Sequence, residues 1–191
     1  MKFILASGSQ GRKSLLEDTG LDFEVIPSKI DEDLDESLEL HEAIQHMALQ
    51  KARAVARDVD YDALIIGADT LAVRDRIWGK APDEQGIFEM LKSLQGKSHD
   101  VITGLALVTS DLKRELTDYA RSVVTLKPMS DSEIWDYIKT GEPMGKAGGY
   151  SLQGQASRFI EKVEGSRSNV IGLPMEKLGI LLNCFGMDIL K

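Results

Sequence analysis

The chain has 191 residues, 42% of them hydrophobic and 28% charged, which is ordinary for a globular protein and enough for a core without disulfides. Its net charge of −8 argues against nucleic acid as a partner, and no apolar run approaches the roughly 20 residues that cross a bilayer, so we expect no membrane contact. The lone cysteine, Cys184, excludes an internal disulfide and fits the cytoplasm, and its apolar neighbours predict a buried structural thiol.

The first segment predicts a short strand, a turn of small residues and a helix that opens with two cations. Ser7 and Ser9 lie in the turn, and Arg12 and Lys13 open the helix. Backbone N–H groups, hydroxyls and positive charge at one helix N-terminus suit an anion, most often a phosphate. An ordinary strand–helix connection capped by Ser9 would give the same pattern.

A strand at residues 21–26, an acidic segment at residues 31–36 and a long helix at residues 37–57 are predicted next. The acidic segment is either a loop that faces a metal ion or a solvated loop before the helix. Lys51 falls on the apolar stripe of the long helix. Its charge either lies at the edge of that stripe or reaches an anion in a cleft.

The apolar run at residues 63–66 predicts a strand that is buried on both faces and stops at Gly67. Asp69 follows that predicted end, and open α/β sheets bind ligands beyond the carboxyl ends of their strands. Asp69 is therefore either a catalytic or metal-binding residue or a turn-forming side chain.

The remainder of the chain predicts a hairpin, three helices and three longer strands. The hairpin comprises residues 71–73 and 77–78. The helices comprise residues 84–94, 131–139 and 173–185, and the strands comprise residues 101–109, 115–127 and 159–163. Asp83 is the expected N-cap of the first of these helices, and Ser130 with Glu133 forms a capping-box pattern for the second.

Two loops in this part of the chain carry polar side chains of interest. Lys80 either faces solvent or points into the same cleft as Asp69. Residues 145–154 contain four glycines, which indicates close backbone approach or positive φ angles. The amide of Gln153 in this loop can hydrogen-bond a base edge or simply tie the loop.

Taken in order, these segments resemble the Maf family of nucleoside triphosphate pyrophosphatases, and the resemblance covers nearly the whole chain. The matching stretches are Leu5-Ala6-Ser7-Gly8-Ser9 with Arg12 and Leu15-Leu16, Lys51-Ala52, Gly67-Ala68-Asp69-Thr70, Gly79-Lys80-Ala81-Pro82, Ala147-Gly148-Gly149-Tyr150-Ser151-Leu152-Gln153-Gly154, Gly165-Ser166 and Val170-Ile171-Gly172-Leu173-Pro174.

The resemblance implies an α/β fold, with an elongated mixed β-sheet flanked by helices and two lobes around a central cleft, in a single domain over residues 1–191. It implies that water attacks the α-phosphate of a nucleoside triphosphate, giving the monophosphate and pyrophosphate with the help of Mg²⁺ or Mn²⁺. Family members are cytoplasmic and often dimeric, so the expected partners are the nucleotide and a second copy of the chain.

Roles for individual residues follow from the same resemblance. Asp69 is the expected catalytic base and a metal ligand, and Glu32 is the expected second metal ligand. The residues expected to hold the triphosphate supply cations or hydroxyl groups, and they are Ser7, Ser9, Arg12, Lys13, Lys51 and Lys80.

Three positions bear on the choice of base. Thr70 and Gln153 match family members that prefer dTTP and UTP, whereas Gly11 stands where those members have an arginine. We therefore expect a pyrimidine nucleotide, with a pocket that Gly11 could open. A competing hypothesis, motivated by this altered turn and by the family's association with septum inhibition, is a nucleotide-binding regulator of cell division with little catalysis. Removal of the terminal phosphate alone is a third alternative.

Overall fold

The computed structural model describes residues 1–187, which form a mixed α/β fold around a seven-stranded sheet. The strands are β1 (Lys2–Leu5), β2 (Phe23–Val25), β3 (Ala63–Val73), β4 (Ile77–Trp78), β5 (Ser98–Thr109), β6 (Glu115–Leu126) and β7 (Ile160–Glu164). The helices are α1 (Gln10–Glu17), α2 (Leu40–Asp58), α3 (Glu84–Leu94), α4 (Asp131–Ile138), α5 (Arg167–Ile171), α6 (Met175–Cys184) and a 3₁₀ helix (Gln155–Phe159). The strand order is β2-β1-β3-β5-β6-β7, with β4 paired to β3. The predicted mixed sheet flanked by helices is confirmed.

The chain divides into two compact units. The first comprises Met1–Asp69, Thr103–Ala120 and the segment from Gly172 onward, and the second comprises Thr70–Ile102 and Arg121–Ile171. The single domain expected over residues 1–191 includes residues 188–191, which lie outside the described residues. Within residues 1–187, none of the helices has both the length and the apolarity that crossing a membrane requires.

The core of the first unit covers both faces of β1 and β3. These strands pair in parallel, with Leu5 opposite Ile66. Ile65 packs with the apolar face of α2, whereas Ile66 belongs to the cluster that includes Leu16 of α1 and Leu178 of α6. Because successive strand residues point to opposite faces, a continuous apolar run is what burial on both sides requires.

Helix α2 approaches the sheet closely at two glycines. A Cβ atom on Gly67 would lie 2.3 Å from the carbonyl oxygen of Ala48, and one on Gly104 would lie 2.2 Å from that of Ile44. Any side chain at either position would collide with the helix backbone. The close packing brings Lys51, one turn after Ala48, against the strand that carries Asp69.

The strand predicted at residues 63–66 is too short. Strand β3 continues through Gly67 to Val73, so Asp69 lies within a strand and not beyond its end. The small residues that predicted a loop instead provide the room that α2 needs. The predicted hairpin is confirmed, with Ala72 opposite Trp78 in an antiparallel pair.

The second unit has its own apolar core, and two of the helices that contribute to it, α3 and α4, begin where the sequence predicts, whereas the 3₁₀ helix and α5 were not predicted. Asp83 caps α3 by accepting the amide of Gly86 at 2.7 Å. Ser130 and Glu133 form the predicted capping box at the start of α4. The largest fully buried side chain of this core is Tyr137.

The predicted burial of Cys184 is wrong. It is the last residue of α6 and its side chain is exposed. The buried face of α6 is formed by Leu178, Leu181 and Leu182. At about 100° per residue, Cys184 is turned by roughly 110° from the middle of that face, which places it on the flank of the helix and outside the core.

Candidate active site

The turn between β1 and α1 gathers two serine hydroxyls beside the guanidinium of Arg12. Nη1 of Arg12 donates to Oγ of Ser7 at 2.9 Å, and the amide of Ser9 donates to the same oxygen at 3.2 Å. Because these two bonds use both acceptor sites of the Ser7 hydroxyl, its proton can be donated to an external anion. The hydroxyl of Ser9 caps α1 by accepting the amide of Arg12 at 3.5 Å.

Arg12 itself is buried, and its Nε atom donates to the carbonyl oxygen of Gly172 at 2.7 Å. Burial lowers the pKa of the Arg12 guanidinium, whereas the negative charges of Asp69 and Glu32 act to raise it. Arg12 is therefore a buried cation that lies within the electrostatic field of these two carboxylates. Gly172 was not predicted as a site residue, although it lies in one of the stretches that carry the family resemblance.

Lys51 lies between two carboxylates that are far apart in the sequence. Its Nζ atom is 2.5 Å from Oδ1 of Asp69 and 2.8 Å from Oε1 of Glu32. Lys51 is only 3% exposed and Asp69 only 6%. Of the two interpretations of Lys51, the structure therefore favours the one in which its charge meets an anion inside the protein. Glu32 belongs to the predicted acidic segment, and because its carboxylate pairs with the buried Lys51, it is not simply a solvated loop residue.

Asp69 and Glu32 are the carboxylates that this cluster could offer to a divalent cation. Both accept hydrogen bonds from Nζ of Lys51, so the point on which they converge is held by that ammonium group, and a metal ion would share the carboxylates with it. Among residues 1–187, no group of three or more His, Cys, Asp or Glu side chains is placed to hold a metal ion. Two carboxylates are nevertheless sufficient for Mg²⁺ when it binds with a nucleotide, because phosphate oxygens and water supply the remaining ligands.

The two cations in the first turns of α1, Arg12 and Lys13, point in different directions. The Nζ atom of Lys13 lies 3.5 Å from Oε1 of Glu17, one turn further along the helix, and the Lys13 side chain is 42% exposed. Arg12, in contrast, points into the protein. Gly11, at which the family resemblance leads us to expect an arginine, is in the first turn of α1 and is partly buried.

The three remaining predicted residues belong to the second unit. Thr70 follows Asp69 on β3, so the two side chains point to opposite faces of the strand. Lys80 is exposed, and its backbone forms an isolated antiparallel bridge with Ala147 at the start of the glycine-rich loop. Gln153 is also exposed, and its backbone amide donates to Oγ of Ser151 at 3.2 Å.

The first unit thus brings cationic, hydroxyl and carboxylate groups close together. Arg12, Lys51 and the serine hydroxyls can bind phosphate oxygens, and Asp69 has a carboxylate that can accept a proton. Together with the parallel strands and the helix N-terminus, this arrangement defines an α/β protein with a candidate phosphate-binding site.

The chain belongs to the Maf-like protein family, whose sequence model matches residues 2–185. A dTTP/UTP pyrophosphatase from Alkaliphilus oremlandii is 44% identical over 190 residues, which are 99% of this chain and 99% of that protein. A dTTP/UTP pyrophosphatase from Acetivibrio thermocellus is 42% identical, with 100% of this chain and 98% of that protein aligned. The family resemblance seen in the sequence is confirmed.

Solved structures with low sequence identity share the fold. The Ham1 protein of Staphylococcus aureus aligns with a TM-score of 0.51 at 14% identity, covering 97% of this chain and 100% of that one. A HAM1 protein from Coxiella burnetii gives a TM-score of 0.52 at 15% identity, covering 96% of this chain and 98% of that one. At this level of identity the likeness concerns the fold alone.

Proposed function

We propose that this chain hydrolyses a pyrimidine nucleoside triphosphate, dTTP or UTP, to the monophosphate and pyrophosphate. The observation that carries the proposal is the buried Lys51, paired with both Asp69 and Glu32 in the same unit as the serine and arginine turn. The full-length relatives named dTTP/UTP pyrophosphatase support the same reaction.

The reaction proposed is the attack of water on the α-phosphorus. Asp69 accepts a proton from the attacking water, whose oxygen forms a bond to the α-phosphorus. The bond from that phosphorus to the oxygen bridging it to the β-phosphate breaks, and pyrophosphate leaves with the electron pair. Asp69 suits this role because Lys51 occupies Oδ1 and fixes the orientation of the carboxylate.

The phosphate oxygens are assigned to hydroxyl and cationic donors. Ser7, Ser9 and Arg12 form the binding surface at the start of α1, and Lys51 has three N–H donors, of which its two carboxylate partners use two. Lys13 and Lys80 are proposed to contribute further positive charge. Mg²⁺ or Mn²⁺, held by Asp69 and Glu32, would neutralise charge on the phosphates.

Recognition of the base is assigned to Thr70 and Gln153, which match the pyrimidine-specific pattern, and Gly11 is proposed to enlarge the pocket. We further propose that the enzyme acts in the cytoplasm, consistent with its single cysteine. A homodimer, and the absence of nucleic-acid and membrane partners, stay predictions from the sequence.

The test is product analysis with a panel of nucleotides in the presence of Mg²⁺ or Mn²⁺. The panel contains dTTP, UTP, CTP, ITP and 7-methyl-GTP, and the reaction is run in oxygen-18 water. We expect dTTP and UTP to be preferred, pyrophosphate to be released, and the heavy oxygen to appear in the monophosphate.

Other outcomes identify the alternatives. Orthophosphate with a nucleoside diphosphate would show removal of the terminal phosphate, and heavy oxygen in pyrophosphate would place the attack on the β-phosphorus. Tight nucleotide binding without release would favour the regulator of cell division. Preference for a purine would contradict the roles given to Thr70 and Gln153.

A further inference from the structure

The carboxylate of Glu142 is the centre of a hydrogen-bond network within the second unit. Its Oε1 atom accepts the hydroxyl of Tyr137 at 2.9 Å and the amide of Ala156 at 3.2 Å, and its Oε2 atom accepts the amide of Gln155 at 2.8 Å. Tyr137 is fully buried at the end of α4 and provides a rigid support for this carboxylate. Glu142 thus joins α4 to the start of the 3₁₀ helix, thirteen and fourteen residues further along the chain.

Gly154 is shaped to accept this carboxylate. A Cβ atom at this position would lie 2.5 Å from Oε2 and 2.7 Å from Oε1 of Glu142, closer than van der Waals contact permits. Its φ angle of 152° is one that other residues rarely adopt. The carboxylate therefore fixes both the position and the conformation of the backbone immediately after Gln153.

In the described part of the chain, the hydrogen bonds that Gln153 itself forms are local. Its amide bonds to Oγ of Ser151, whose own proton is donated to the carbonyl oxygen of Gln153, each at 3.2 Å. These bonds shape the turn, which is also connected to α4 because the backbone amide of Ser151 donates to the hydroxyl of Tyr137. Glu142 accepts that hydroxyl and also the amides of Gln155 and Ala156, so its network holds the turn from both sides of Gln153.

Glu142 also remains charged under ordinary conditions. Burial acts to raise the pKa of its carboxyl group, but hydrogen bonds from Gln155, Tyr137 and Ala156, together with the positive charge of Lys146, outweigh burial, and the resulting pKa is below the usual value. An ionised carboxylate is an acceptor at both oxygens, as the three donors around it require.

We propose that Glu142 is a positioning residue that sets the orientation of Gln153 for base recognition. It contacts no substrate atom and acts only through the backbone of residues 154–156. The proposal rests on the proposed function, and in particular on the role of Gln153 as a specificity residue.

The experiment compares the ratio of kcat/KM for dTTP to that for CTP among four variants. Glu142→Gln keeps the shape of the side chain but replaces one acceptor with a donor, and Gly154→Ala disturbs the same contact from the opposite side. Gln153→Ala removes the amide itself, and Glu161→Gln is the matched control at an exposed glutamate of the same unit. We expect the ratio to fall about tenfold in the first three variants and to stay unchanged in the control.

A second measurement needs no activity. Amide hydrogen exchange in the nucleotide-free protein should be faster at Gln155 and Ala156 in Glu142→Gln than in the wild type, with exchange in β1 and α2 unchanged. Unchanged exchange in β1 and α2 shows that the variant is folded. Faster exchange at Gln155 and Ala156 shows that the hydrogen bonds to residue 142 have been weakened.

The outcomes separate the two proposals. If Gln153→Ala lowers the ratio but Glu142→Gln and Gly154→Ala leave it unchanged despite faster exchange, the positioning role is overturned while the role of Gln153 stands. If Gln153→Ala leaves the ratio unchanged as well, the base-recognition role fails and the positioning role fails with it. A fall in the ratio for both anchor variants supports the proposal.

Discussion

Lys51 and Asp69 form a buried ion pair, with Nζ of Lys51 2.5 Å from Oδ1 of Asp69. The pair exists because α2 lies directly against β3, where Gly67 provides no side chain to separate them. Burying two charged groups has a high free-energy cost, which mutual attraction offsets only in good geometry. Such a pair is weak evidence for stability but is typical of a site where charge is needed for chemistry.

The first prediction concerns Asp69→Asn, which removes the proposed proton acceptor while keeping the size of the side chain. We expect kcat to fall by about 10²- to 10⁴-fold, the usual contribution of general base catalysis. Binding of dTTP should be retained, since the change lowers the negative charge beside Lys51. Turnover by pyrophosphate release and affinity by calorimetry measure the two effects.

Asp60→Asn is the control for this prediction, because Asp60 is an exposed aspartate of the same unit. Its turnover and affinity should equal those of the wild type. If kcat of Asp69→Asn stayed within a factor of about two, which is far below the effect of losing a general base, Asp69 would not be the catalytic residue.

The second prediction concerns Lys51→Met, which leaves Asp69 and Glu32 without their shared cation. Loss of one partner of a buried pair should lower the free energy of unfolding by about 3 kcal/mol at neutral pH. Urea denaturation followed by circular dichroism gives this value. Lys2→Met, which breaks the exposed pair with Glu24, is the matched control and should leave the urea midpoint nearly unchanged. Equal effects in the two variants would mean that the Lys51 pair contributes no more than a surface contact.

The third prediction concerns Gly104→Ala, which tests the close packing of α2. The added Cβ would lie 2.2 Å from the carbonyl oxygen and 2.5 Å from the carbonyl carbon of Ile44, and backbone atoms of a helix cannot move aside singly. We expect the free energy of unfolding to fall by about 3 kcal/mol, as for severe overpacking.

Gly79→Ala is the control for this packing prediction, since a Cβ there would meet only Leu71, at 4.0 Å. Its thermal midpoint should stay close to the wild-type value. A Gly104→Ala variant as stable as Gly79→Ala would show that α2 can shift outward without cost, and that the glycine does not determine the position of Lys51.

The elements that the sequence predicts well depend on neighbouring residues. Helix α3 has the predicted range because Asp83 caps it, and α4 begins at the predicted capping box. The extension of β3 to Val73 was not predicted, because Gly67 is required by its contact with α2, an element that is distant in the sequence. The residues on either side of Gly67 carry no local signal for such a contact.

In the candidate site, too, features that depend on neighbouring residues could be predicted, and features that depend on distant contacts could not. The turn with Ser7, Ser9 and Arg12 could be predicted because its parts are adjacent in the sequence, and Lys51 is conspicuous because a cation on an apolar stripe is unusual. The network of Glu142 could not be predicted, since the carboxylate bonds to backbone amides, which leave no trace in residue type. The glycine at position 154 indicated that another group approaches the backbone closely, but a glycine does not identify that group.

The last prediction concerns the pH dependence of stability due to His99, which is 3% exposed and bonds through Nε2 to the hydroxyl of Tyr150 at 2.7 Å. Burial lowers the pKa of His99 to about 4, with Asp100 acting to raise it and Arg74 to lower it further. In the unfolded chain the pKa is about 6.5, so between these values the unfolded state binds a proton that the folded state does not. Stability from this group is therefore present above pH 6.5 and lost as the pH falls towards 4, by about 3 kcal/mol in all.

The measurement is the free energy of unfolding from urea titrations between pH 7 and pH 4 for the wild type, His99→Gln and His41→Gln. Glutamine at position 99 can still hydrogen-bond Tyr150 but does not titrate, so His99→Gln should lose about 3 kcal/mol less than the wild type over this range. His41 is exposed, and its variant is the control for replacing a histidine with glutamine at the surface. Nuclear magnetic resonance of the imidazole gives the pKa directly. Parallel curves for all three proteins, or a His99 pKa near 6.5, would show that His99 takes up its proton as readily in the folded protein as in the unfolded chain.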